Sequence, residues 1–197
     1  MTGPPSAGRA GEATLRFSDA ATFAGWLAEH HASATGVRIE FAKRETGVES
    51  VPHEEALRQA LRFGWIDAQV GSGPAGWFRQ RFTPRRARSR WSKRNCDLAE
   101  ELIARGEMEP AGLAAVEAAK ADGRWAAAYA GPRTAAVPGD LQRELDADPE
   151  AGAFFAGLTS QNRYAILYRL EAAKRPETRA RRLATFMEML RRGETLH

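Results

Sequence analysis

Trp65-Ile66-Asp67-Ala68-Gln69-Val70, then Gly71-Ser72-Gly73-Pro74-Ala75-Gly76, then Trp77-Phe78-Arg79-Gln80-Arg81-Phe82-Thr83 run without a break in mid-chain. Three glycines and a proline in the middle segment punctuate two aromatic-rich segments, which predicts strands at 65–70 and 77–83 joined as a hairpin. Side chains alternate along a strand, so Trp65, Asp67 and Gln69 share one face. On the second strand Trp77, Arg79 and Arg81 lie opposite Phe78 and Phe82. Working outward, Val37, Ile39 and Phe41 alternate with Arg38, Glu40 and Ala42, which predicts another strand. Lys43 continues the apolar parity, so either the strand has ended or Lys43 emerges at the rim of the buried face.

Helices surround these strands. Ser18 is the expected N-cap of the first, with Asp19 in its first turn. Phe23, Trp26, Leu27 and His30 form its apolar stripe, and Gly36 ends it. Pro52 with His53, Glu54 and Glu55 opens a second helix, lined by Ala56, Leu57, Ala60 and Leu61 and stopped at Gly64. Beyond Pro84 every periodic segment is helical: Leu98, Leu102 and Ile103; Leu113 and Val116; Leu141 and Leu145; Phe154, Phe155 and Leu158; Tyr164, Leu167, Tyr168 and Leu170; Leu183, Phe186, Met187 and Leu190. The predicted class is α+β, with a small antiparallel sheet and helices in the N-terminal half and a helical C-terminal half. The expected division is a flexible tail at 1–13, an α+β domain at 14–130, a linker at 131–139 (GPRTAAVPG) and a helical region at 140–197.

The chain has 197 residues and a net charge of +4, spread unevenly. No Asp or Glu lies between Ala68 and Cys96, a window holding Arg79, Arg81, Arg85, Arg86, Arg88, Arg90, Lys93 and Arg94. Without those eight cations the remainder would carry −4, so the basic character is local. Concentrated positive charge attracts an anion. Apolar runs reach about five residues, against the roughly twenty a membrane-spanning helix needs, so no span is expected. Residues 1–13 lack the apolar core of a secretion signal, and Cys96 is the single cysteine. Both point to the cytoplasm as the expected location.

Three separated stretches carry a resemblance. Phe63-Gly64-Trp65-Ile66-Asp67, Arg81-Phe82-Thr83-Pro84-Arg85-Arg86 and Ser89-Arg90-Trp91-Ser92-Lys93-Arg94-Asn95 look like the F-G-W-I-D, R-F-T-P-R and S-x-W-S-K-x-N motifs of the YdeI/OmpD-associated, or bacteriocin-protection, family. Gly106–Trp125 and the stretch Ala173-Lys174-Arg175-Pro176-Glu177-Thr178-Arg179 through Leu183 also resemble that family, so the similarity covers roughly residues 15–195. The resemblance implies a small cytoplasmic bacterial protein. The family name suggests protection from antimicrobial peptides and supplies no catalytic residues.

The residues themselves offer one strong constellation. Trp77, Phe78, Phe82 and Trp91 are interleaved with the cations. Guanidinium forks take phosphate or carboxylate bidentately, and indole faces stack on bases or cations. The candidate anion site comprises Trp65, Asp67, Arg81, Arg85, Arg86, Ser89, Trp91, Ser92, Lys93 and Asn95, with Asp67 orienting an arginine and Ser92 or Asn95 at a helix start. The plain alternative is a solvated loop whose tryptophans fill the core and whose Asp67–Arg pair is structural. Cys96, beside two cations, is a weak nucleophile candidate without a histidine to serve it. His30 and His31 are adjacent and diverge by about 100° on a helix, and no H-x-x-x-H or cysteine pair exists, so no metal is expected. His53, Asp67, Ser89 and Ser92 lack any nucleophile-elbow context. Gly71-Ser72-Gly73 lacks the Walker lysine, and no cofactor is predicted. Lys174, Arg175, Arg179, Arg181 and Arg182 form a second basic cluster, read as a solvated helix face.

The expected function is a non-enzymatic binding protein that recognises an anionic partner: a small molecule, a nucleic acid or an acidic protein surface. A role in stress or antimicrobial-peptide tolerance rests on the resemblance alone. The rival is an enzyme on a small phosphorylated or carboxylated substrate, with Arg81 and Arg85 as clamp, Asp67 as acid/base and Lys43 as a further cation. A third reading gives the motifs only a docking role between the two halves.

Overall fold

The computed structural model describes residues 12–132 and 134–196. The chain divides into two compact units. The first holds the described residues up to Ser89 together with Asn95–Ala126, and the second holds Arg90–Arg94 with Ala127 onward. The division falls at 126/127, and a five-residue excursion at 90–94 belongs to the second unit. Of the expected tail, residues 1–11 lie outside the described residues. Glu12 and Ala13 are tied to the sheet, where Arg38 N donates to Ala13 O at 2.9 Å. Arg133 in the expected linker and the terminal His197 also lie outside the described residues.

In the first unit β1 (Thr14–Leu15), β2 (Val37–Ala42), β3 (Trp65–Ser72) and β4 (Trp77–Pro84) form one sheet in the order β1-β2-β4-β3. β1 runs parallel to β2, and the other pairings are antiparallel. The hairpin forms as its sequence predicts, with a register shift between Asp67 and Val70. Gln80 Nε2 donates to Ala68 O there, at 3.0 Å. β2 pairs Val37, Ile39 and Phe41 with Phe82, Gln80 and Phe78, so all six point to one face. That inner face is covered by α1 (Ala20–His30) and α2 (His53–Arg62), which bring Phe23, Leu27, Ala56 and Ala60 against it. Each fully buried large apolar side chain here, Phe82 or Trp65 among them, contributes roughly 1.5–3 kcal/mol.

α1 is capped by Asp19 rather than Ser18, through a reciprocal capping box with Thr22. It ends at His30, well before Gly36. His30 is not a core residue: its side chain is 44% exposed and lies against the Trp26 ring. Lys43 is exposed and follows the end of β2, ahead of a short 3₁₀ turn at Arg44–Thr46. α2 stops where Gly64 takes φ +72°, a left-handed conformation costly for other residues.

α3 (Lys93–Ala104), from Asn95 onward, and α4 (Pro110–Ala121) complete the first unit. α4 crosses the end of α2 at Gly112, where a Cβ would stand 2.2 Å from Arg62 O. Arg62 clips the crossing: its Nε donates to Glu107 O, its Nη2 to Glu109 Oε1, and its carbonyl accepts from Glu109 N.

The second unit consists of α5 (Gly139–Ala147), α6 (Pro149–Gly157), α7 (Ser160–Glu171) and α8 (Pro176–Arg191). Leu141, Leu145, Phe155, Ile166, Leu170, Met187 and Leu190 build its core. The 90–94 segment is stitched to this unit at Tyr129, whose N donates to Trp91 O at 3.0 Å and whose O accepts from Lys93 N at 2.9 Å. Arg90 lies over the Tyr129 and Tyr168 rings at 4.9 and 5.0 Å. The α8 cations are partly structural rather than simply solvated. Arg179 grips Asp140 at 2.5 and 2.8 Å and also donates to Leu170 O. Those bonds hold the Asp140 carboxyl below the usual range, against the upward push of burial. The pair therefore stabilises the unit above the ordinary aspartate pKa and fails as pH falls through the depressed one.

Candidate functional site

The chemistry concentrates on the outer face of the sheet, which α1 and α2 leave open. Strand alternation sends Arg38 and Glu40 of β2 to this face. Their register partners Arg81 and Arg79 of β4 point the same way. Two carboxylates organise four guanidiniums. Glu40 accepts from Arg16 Nε at 2.8 Å and from Arg79 Nε at 2.9 Å. Glu12 accepts from Arg81 Nε and Nη2, and lies 3.3 Å from Arg38 Nη1. Arg16 also stacks on the Trp77 ring at 4.1 Å. Burial pushes the Glu40 carboxyl up, but the hydrogen bonds from Arg16 and Arg79 outweigh it and hold the group below its ordinary value. Arg81 does the same for Glu12.

Beside this network lies a groove of about 690 Å³. Arg38, Arg81 and Arg86 supply its positive charge, Glu12 a carboxylate, and Gln69, Thr83 and Ser89 neutral polar groups. The Ser89 hydroxyl accepts from Arg86 N at 3.0 Å, which turns the chain at the groove's end. A second depression continues over Arg38, Arg79 and Arg81 toward the hairpin.

Of the ten residues singled out from the sequence, Arg81, Arg86 and Ser89 meet in this groove. Trp65 is 1% exposed on the inner face, with its Nε1 donating to His31 O. Asp67 pairs in register with Phe82, so it too lies on the inner face, 3.8 Å from His53 Nε2. The Arg81–Asp67 combination required for clamp-plus-acid/base chemistry is therefore split across the sheet. Arg85 buries Nε and Nη2 and acts electrostatically on Cys96, away from the groove lining. Asn95 is buried at the start of α3. Trp91, Ser92 and Lys93 belong to the second unit, where Trp91 is 1% exposed and Ser92 bridges to Tyr129.

Sequence reasoning passed over Arg38, Glu40, Gln69 and Thr83 as site residues, although β2 and β4 each showed the alternation that puts their arginines on one face. Glu12 gave no local signal at all, because its partners lie 26 and 69 positions away.

Cys96 is buried in the first unit. Burial pushes its thiol up to about 11, and the opposing pull of Arg85 is smaller. Iodoacetamide at pH 8 is expected to alkylate it about a hundredfold more slowly than a free cysteine, with the ordinary rate restored in denaturant. Rapid labelling of the folded protein would contradict this burial. Among the described residues no group of three or more His, Cys, Asp or Glu is placed to hold a metal ion, and no helix is long and apolar enough to cross a membrane.

Residues 15–115 match the model of a domain of unknown function, DUF8412, and residues 134–193 match that of the family described as bacteriocin-protection, YdeI or OmpD-associated. No curated protein and no solved structure gives a match. The C-terminal motif Ala173–Leu183 lies inside the second match, which bears out the resemblance to the YdeI/OmpD-associated family at 134–193, and the motifs at 63–67, 81–86 and 89–95 lie inside the first. The groove stands wholly within or just ahead of the first. The chain belongs to the DUF8412 family, whose model matches residues 15–115, and its helical C-terminal region matches the model of the family described as bacteriocin-protection, YdeI or OmpD-associated over residues 134–193.

Proposed function

We propose that the outer face of the sheet receives a small anionic ligand, held by Arg38, Arg81 and Arg86 and oriented by Thr83, Ser89 and Gln69. One observation carries the reading: five arginines (16, 38, 79, 81 and 86) gather on or beside one open face whose two carboxylates, Glu12 and Glu40, offset only part of their charge. Every carboxylate is shared by two guanidiniums, so the face keeps an excess of donors. A groove of this volume matches a compact carboxylate or phosphate compound better than a long polyanion. The family name associates the helical unit with bacteriocin protection. We extend a tolerance role to this chain on that name alone.

Calorimetric titration with inorganic phosphate at low ionic strength tests the reading. Wild-type protein is expected to bind, and Arg86→Ala, which removes an exposed groove cation, to lose about tenfold in affinity with little change in melting temperature. Added salt weakens binding by screening these solvent-facing charges. Equal binding by wild type and an Arg38→Ala/Arg86→Ala double variant would remove the groove from the account.

A further inference from the structure

Glu12 does more than offset charge. Its side chain is 13% exposed, it lines the groove, and Arg81 addresses it side-on through Nε and Nη2, the planar fork geometry of a carboxylate ligand. The seat is shaped for it: a Cβ at Gly36 would stand 2.8 Å from Glu12 Oε1 and 3.1 Å from Phe82 O. The backbone tie of the segment bearing Glu12 is short: β1 behind it is two residues long and pairs through Thr14 and Leu15 with Arg38 and Ile39, with one further bond from Arg38 N to Ala13 O.

Taking the groove as an anion site, we infer that Glu12 is an internal occupant of that site, a carboxylate of the protein's own chain that a carboxylate ligand must displace. Arg81 presents one side-on edge, and that edge is already committed. An incoming carboxylate takes it only when Glu12 leaves, so apparent affinity is lowered by the fraction of time Glu12 is out. The occupant also fixes the ligand class, because the same fork and the same glycine-lined seat receive whatever replaces it.

Glutarate, whose end reproduces a glutamate side chain, is the probe. Glu12→Gln keeps the shape and removes the charge, and is expected to bind glutarate about tenfold more tightly than wild type, and more tightly than it binds inorganic phosphate. Gly36→Ala leaves the charge in place but pushes the carboxylate off its seat, and is expected to shift affinity in the same direction. Circular dichroism checks both folds, and if Glu12→Gln is unfolded, Gly36→Ala decides by the same criterion. Unchanged or weaker glutarate binding on loss of the Glu12 carboxylate would overturn the internal-occupant role while leaving the groove as an anion site. Absence of glutarate and phosphate binding in all three proteins would overturn the groove reading itself. A preference for phosphate over glutarate in Glu12→Gln would overturn the carboxylate assignment.

Discussion

Gly112→Ala is expected to cost the protein about 3 kcal/mol, lowering its melting temperature by roughly 6–12 °C. The added Cβ would meet Arg62 O at 2.2 Å and Leu61 O at 2.8 Å. Both are main-chain carbonyls in the last turn of α2, so no change of rotamer relieves the overlap. α4 would have to lift away, loosening the Arg62 bonds to Glu107 and Glu109. Helix propensity alone predicts the opposite sign, since alanine is a better helix former than glycine. Gly25→Ala supplies the control: the position is exposed on α1 with nothing within 4 Å of a Cβ, and the change is expected to add about 0.5–1 kcal/mol. Thermal unfolding of the two variants side by side checks the pair. A Gly112→Ala protein as stable as Gly25→Ala would mean that α2 and α4 do not cross as described.

Trp91→Ala is expected to lose about 3–5 kcal/mol, the cost of removing a large side chain from a site that is 1% exposed. The segment around it is held by two backbone bonds to Tyr129, so deletion of the indole leaves the main chain anchored over a cavity. Trp91→Phe retains more of the packing and is expected to lose less. The variant also separates two readings of the same residue. A ligand-stacking indole can be truncated with little effect on unfolding, whereas a core indole cannot. Urea titration of both variants distinguishes them, and an unchanged midpoint for Trp91→Ala would return Trp91 to the surface.

The elements of this fold are legible where period and punctuation agree. The β3–β4 hairpin follows from its glycine-rich turn, α2 from Pro52 before it and Gly64 after it, and the four C-terminal helices from their apolar spacing. The cap of the first helix lies one residue beyond the Ser18 its sequence suggests, because Ser18 and Asp19 are both good caps and only the side-chain reach to Thr22 N chooses between them. β1 was not legible: two residues pairing in parallel with β2 leave no periodic trace. The site was legible in its charge and not in its geometry. Alternation correctly opposes Arg79 and Arg81 to Phe78 and Phe82. Two residues of the basic stretch's surroundings, Trp65 and Asp67, nevertheless face the core side, because the same alternation operates on β3. Trp91, Ser92 and Lys93 follow the arginines closely in sequence yet pack with Tyr129 in the other unit. Proximity along the chain is a poor guide once the chain passes from one compact unit to another. What joins Arg38 to Arg81 is strand register, and what joins either to Glu12 is tertiary contact.

The outer sheet face as an anion site is tested most directly by following backbone amides in a ¹⁵N–¹H correlation spectrum while inorganic phosphate is added at low ionic strength. The account predicts saturable shifts that cluster at Arg38, Arg81, Thr83, Arg86 and Ser89, with the α7 and α8 amides unmoved. Shifts confined to the helical unit, or none at the five groove positions, would contradict it.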